Sequence, residues 1–310
     1  MNTQSNAMSA SVDSQAAPAV SSETRALYWS VRRELWEYRF LYLAPLGVAA
    51  AYLLAFSTGW HHHLPTVVRQ ASALDAMQYR DVIARPYDFA GGLMMLVGIL
   101  MSIFYCSDAL HGERRDRSIL FWKSLPVSDW TTVLAKASIP LIVIPLITFT
   151  VAVALQWLML LLTTAVLLGN GLSVARFWNE LSFFQMSLLL LYHLFTAHAI
   201  WPAPVYAWLI LVSGWARRAV LLCAALPVIV IGAVEMLLWR TSHFAAMVAE
   251  RLIGHIPDAA TGPDHMFPTN PMIHLTPAQY LLDPGPWIGL LVAAAFLALA
   301  VRMRRSHDPM

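Results

Sequence analysis

The stretch from Ile139 to Leu168 reads IPLIVIPLITFTVAVALQWLMLLLTTAVLL and carries no charged residue. A helix crosses the roughly 30 Å hydrocarbon core of a bilayer with about 20 mostly apolar residues, at about 1.5 Å of rise per residue. This run exceeds that length, so tilt or a kink is expected, and Pro140 and Pro145 are natural places for one. Composition agrees with a membrane setting. Hydrophobic residues make up 58% of the 310 positions and charged residues 12%, against about 25% charged in soluble domains. Mean hydropathy is +0.59.

Working outward, five further stretches qualify as spans: about 40–59, 89–107, 181–212, 219–239 and 287–301. The fold expected is therefore all-α and integral to the membrane, with six transmembrane helices. The stretch 181–212 is unusually long and contains Trp201, Pro202, Ala203 and Pro204. That interior reads as a break within a span or as a surface helix running into a shorter one.

Orientation follows from where Lys and Arg fall, because flanks rich in them stay in the cytoplasm. With the N-terminus inside, fourteen of the 20 lie on inner segments: Arg25, Arg32, Arg33, Arg39, Arg114, Arg115, Arg117, Lys123, Lys136, Arg217, Arg218, Arg302, Arg304 and Arg305. Six lie outside: Arg69, Arg80, Arg85, Arg176, Arg240 and Arg251. Both termini are thus expected in the cytoplasm. The net charge of +2 and the lack of a basic stripe interleaved with aromatics argue against nucleic acid as a partner.

Residues 1–22 are rich in Ala and Ser with no apolar run, so a disordered tail is expected there, and nothing in them reads as a cleavable leader. Residues 23–39 mix Tyr28, Trp29, Trp36 and Tyr38 with alternating charges, the composition of an interfacial amphipathic helix on the inner leaflet. The transmembrane domain then occupies 40–310. The outer loops, about 60–88 and 240–286, read equally as a small cap or as passive connections.

Between the second and third spans, Glu113, Arg114, Arg115, Asp116 and Arg117 are followed by Ile119, Leu120, Phe121, Trp122 and Leu125, and Pro126 closes the segment. Ser128 or Asp129 then caps the helix leading into the third span. Charged at one end and aromatic at the other, this short coupling helix is an element a soluble partner can grip. It reads equally as a solvated positive flank with Phe121 and Trp122 among the headgroups.

The run from Glu113 through Leu120, with Leu125-Pro126-Val127-Ser128 and Leu134-Ala135-Lys136, resembles the cytoplasmic loop of the type-2 ABC exporter permeases. The stretch from Trp201 to Arg218 is also similar to a subgroup of bacterial permeases of this kind. Motif likeness covers some 50 residues, topology most of the chain. Arg117 departs from the Gly that many such permeases carry before the hydroxyl residue. The resemblance implies a bacterial inner-membrane permease acting as a homodimer or heterodimer in the lipid bilayer. It further implies a cytoplasmic ATPase subunit docked on Glu113, Arg114, Arg115, Asp116, Arg117, Phe121 and Trp122, and outward substrate movement. No phosphate-binding loop with its Lys and Ser or Thr occurs, so ATP and Mg are expected only through that partner, with no cofactor on this chain and no enzymatic activity of its own.

Four intramembrane or border polar residues are candidates. Glu235 lies near the end of the fifth span, as a functional acid or as a salt partner of Arg240. His193 and His198 stand five apart, which does not place them on one face of an α-helix as metal-binding pairs four apart would be. Asp108 closes the second span as a cap or as an interfacial carboxylate. Seven of eleven histidines, among them His61, His62, His63 and His243, lie on outer segments; adjacency alone does not make a metal site, and none is assigned. A metal-linked or ion-linked export or assembly protein is the alternative reading. An intramembrane enzyme is weaker: Gly171-Leu172-Ser173 falls in an outer loop, and no histidine cluster has four-residue spacing. Cys106 and Cys223 sit in apolar runs and read as small hydrophobes.

Overall fold

The computed structural model describes residues 19–115, 128–253, 280 and 282–306. Among them every regular element is helical, and six helices are long and apolar enough to cross a membrane: Phe40–Gly59, Ala76–Arg115, Asp129–Gly169, Ala175–Ile200, Val220–Trp239 and Pro284–Arg305. The chain is an all-helical, multi-pass membrane protein.

Helix α1 (Ala19–Glu37) precedes α2 (Phe40–Ala55), which passes through a π-turn at Phe56–Trp60 into α3 (His61–Ala71). The second span is α4 (Ala76–Asp108), followed by the short α5 (His111–Arg115). It starts well before the apolar window at 89–107. Asp75 caps it, accepting from the Gln78 amide at 2.8 Å, and Tyr79, Ile83, Ala84 and Tyr87 turn inward along the added turns. Nearly half of the stretch 60–88 is therefore an extension of the span. The rest packs on the bundle: Leu64, Val68 and Ala71 of α3 enter the core, and Arg176 donates to the Ser72 and Leu74 carbonyls at 2.8 and 3.1 Å.

The third crossing comprises α6 (Asp129–Ser138), a π-turn at Ile139–Val143 and α7 (Ile144–Gly169). The Ser128 hydroxyl caps α6 by accepting from the Thr131 amide at 3.1 Å. Irregularity falls where Pro140 and Pro145 remove amide donors. Helices α8 (Ala175–Glu180) and α9 (Phe183–Phe195) continue through a π-turn at Thr196–Ile200. A turn at Trp201 and Pro202 then breaks the path, and α10 (Ala203–Trp215) is a separate short apolar helix. The stretch 181–212 is thus interrupted at Trp201 and Pro202.

Helix α11 (Val220–Trp239) is flanked at both ends by left-handed residues, Ala219 and Arg240. Helices α12 (His243–Ile253) and α13 (Pro284–Ser306) complete the described chain. Two main apolar clusters hold the bundle, one around Tyr87, Met94, Leu155 and Met159, the other around Leu41, Tyr105, Ile139 and Ile210. Between α4 and α7 the contact is intimate. Tyr87 and Thr163 hydroxyls meet at 2.9 Å, and a Cβ on Gly98 would stand 3.1 Å from Thr148 Oγ1. Small and hydroxyl residues permit such close approach between membrane helices, where hydrophobic driving force is weak.

Candidate functional site

At the second cluster's end of the bundle, four parts of the chain meet through charge. Glu34 of α1, Glu113 of α5, Lys136 of α6 and Arg304 of α13 are all buried. Lys136 Nζ donates to Glu34 Oε1 at 2.9 Å and lies 3.2 Å from Glu113 Oε1. Arg33 bridges the same two oxygens, at 2.6 Å to Glu34 and 3.1 Å to Glu113. Two acids and two bases thus close a ring in which each base touches both acids. The other Glu113 oxygen receives Arg304 at 2.8 Å, and Arg304 Nε continues to Asp129 at 2.9 Å. Tyr105 of α4 donates to the second Glu34 oxygen at 2.7 Å.

Local structure explains each placement. Val31 and Leu35 of α1, with Tyr38 just after it, pack on the core beside Leu41 and Tyr105, which turns Glu34 inward with them. Helix α4 ends at Asp108, and a turn at the buried Ala109 and Leu110 leads into α5, where Gly112 and Glu113 are buried. Arg114 fastens this corner, donating at 2.6 Å to each of the Ser213 and Ala216 carbonyls at the end of α10. Those carbonyls are orphaned by the helix terminus and favour a cation. His111 Nδ1 stands 3.2 Å from the same Ala216 oxygen.

Electrostatically the ring and its extension balance: Glu34, Glu113 and Asp129 against Arg33, Lys136 and Arg304. A buried carboxylate or ammonium is costly alone and tolerable only when paired and hydrogen-bonded. Such networks therefore fix register between elements more than they add stability. Outside the spans, burial and the neighbouring Glu34 push the Glu37 carboxyl above its ordinary range. Burial and the Asp108 carboxylate likewise raise the Tyr38 phenol, which donates to Asp108 at 3.2 Å.

Of the residues singled out in the coupling segment, Glu113 and Arg114 face inward. Arg115 is exposed, with Asp108 3.9 Å away. Asp116, Arg117, Phe121 and Trp122 lie outside the described residues. Sequence reasoning passed over Glu34, Arg304 and the ionic roles of Lys136 and Asp129. A signal existed for Lys136, a single ammonium just before a 30-residue apolar run, where a partner is obligatory.

The remaining candidates disperse. Glu235 accepts from the Thr241 hydroxyl and from the His243 and Phe244 amides, all at 2.8–2.9 Å, which makes it the cap of α12 rather than the partner of Arg240. His193 Nδ1 approaches the Leu189 carbonyl at 2.9 Å. His198 sits in the π-turn, so α-helical spacing does not govern its relation to His193. Among the described residues no group of three or more His, Cys, Asp or Glu is arranged to hold a metal ion. Cys106 is buried and Cys223 half-buried, both as free thiols. No family model, curated protein or solved structure matches the chain.

Proposed function

We propose that this chain is the membrane-spanning permease subunit of an ATP-driven exporter of the type-2 ABC kind, working with a separate cytoplasmic ATPase. One observation carries the reading. The segment 116–127 is rooted at both ends in the buried ion ring, through Glu113 on one side and Asp129 and Lys136 on the other. A force on that segment therefore acts on α1, α4, α6 and α13 together.

In this reading the ring end faces the bacterial cytoplasm, as the distribution of Lys and Arg favours. Phe121 and Trp122 form the grip for the ATPase, and the chain itself binds no nucleotide. ATP-driven closure of the ATPase pair displaces the segment and rocks the second and third spans. That motion opens a path at the interface of two permease copies, identical or different.

The test is copurification. Tagged protein extracted in mild detergent is expected to bring down a polypeptide with a nucleotide-binding loop, and Trp122→Ala is expected to release it. Recovery of the chain alone from membranes that contain its neighbouring ATPase would count against the proposal.

A further inference from the structure

Helix α1 has two faces of different chemistry. Glu34 and Glu37 are on the side turned to Arg33 and Lys136. Arg25, Trp29, Arg32 and Trp36 lie about 140–200° around the helix from Glu34, at about 100° per residue. Trp29 and Trp36 are 56% and 68% exposed, and Tyr28 beside them 60%. That outer stripe holds cations and aromatics and no acid.

Arg32 is held at its centre. Its guanidinium carbon lies 5.1 Å from the Trp29 ring centroid and 5.0 Å from that of Trp36. Stacking on an indole face leaves the in-plane N–H edges of a guanidinium open for a phosphate, which an arginine can take in bidentate fashion. Among the described residues no carboxylate forms an ion pair with Arg32. Beside it runs an open groove lined by Tyr28, Val31, Arg32, Leu35 and Trp36. The first span opens just after this helix with exposed apolar residues, Phe40, Leu43 and Leu46.

We propose that this stripe is a binding site for an anionic glycerophospholipid. The phosphate sits on Arg32 between the two indoles, Arg25 adds long-range attraction, and the acyl chains lie against α2. Three features select this occupant over a soluble protein: the charge segregation, the aromatic content suited to headgroup depth, and the exposed apolar residues that open α2 just after the stripe. The ion ring supplies the rest by holding α1 in a fixed rotation, so that the stripe faces outward.

The test uses the full chain, purified in detergent and depleted of lipid. It is titrated with phosphatidylglycerol, with phosphatidylcholine or with inorganic phosphate, reading bound lipid by native mass spectrometry and the unfolding midpoint in parallel. Phosphatidylglycerol is expected to bind and stabilise in preference to phosphatidylcholine, and phosphate alone to do neither. Arg32→Gln is expected to weaken phosphatidylglycerol binding about fivefold, the contribution of one arginine near an anionic surface. Trp29→Ala with Trp36→Ala is expected to weaken it comparably, and Arg69→Gln, at the other end of the bundle, to leave it unchanged. Equal binding of the two lipids, the same stabilisation by phosphate alone, or an undiminished preference in Arg32→Gln would overturn the proposal.

Discussion

Lys136 lies 2.9 Å from Glu34 across 102 positions of sequence, with both side chains 1% exposed. This contact ties the helix before the first span to the root of the third. Removing one member leaves the buried ring with an uncompensated charge, even though Arg33 still reaches Glu34, so Lys136→Met is expected to cost about 3–5 kcal/mol. Glu34→Gln is expected to cost a similar amount. The two together should cost less than their sum by about 1–3 kcal/mol, because the coupling is then lost only once. Denaturant unfolding of the four proteins in detergent checks this, and strict additivity would mean the pair does not interact.

A second prediction concerns the seam between α4 and α7. A methyl group on Gly98 meets Thr148 at 3.1 Å, while one on Gly91 finds Gln156 at an ordinary 3.6 Å. Gly98→Ala is therefore expected to destabilise by about 1–3 kcal/mol, and Gly91→Ala much less. Adding Thr148→Ala should relieve Gly98→Ala, since Thr148 Oγ1 makes no hydrogen bond that would be lost. Thermal midpoints of the set decide it.

Glu37 yields a prediction of opposite sign. Burial first, and then Glu34, raise its carboxyl, so the folded state holds this proton to higher pH than the unfolded chain does. The charged form consequently opposes folding above the folded-state value, and the penalty fades as pH falls through the unfolded value of about 4.3. Glu37→Gln is expected to match or exceed the parent in stability at pH 8 and to show no advantage at pH 4. Unfolding midpoints across that interval give the comparison.

The acid at position 235 is expected to matter locally. Glu235→Ala removes the acceptor for the His243 and Phe244 amides. Hydrogen exchange at those two amides should accelerate, while exchange in α4 and α7 stays as it was. Unchanged exchange at the start of α12 would dismiss the capping role.

The six crossings were legible because length and apolarity alone define them, and Pro140, Pro145 and Pro202 marked the irregular points. The early start of α4 was hidden by Arg80, Asp81, Arg85 and Asp88, which break an apolar window. Its inward face at Tyr79, Ile83, Ala84 and Tyr87 nonetheless keeps helical spacing. The ion ring was not legible. Its basic members looked like ordinary flanking positives, and its pairings join residues 102 and 191 positions apart. Spacing rules speak only of neighbours along one helix. The π-turn that alters the relation of His193 to His198 has no sequence signal either.

The most direct test of the coupling account is ATP hydrolysis by the chain reconstituted with its copurifying ATPase in lipid nanodiscs. The account predicts that the complex hydrolyses ATP faster than the ATPase alone. Phe121→Ala with Trp122→Ala should abolish that increment by loss of docking, and Lys136→Met should reduce it with the ATPase still bound. An ATPase rate indifferent to the chain, or an increment that survives both variants, would contradict it.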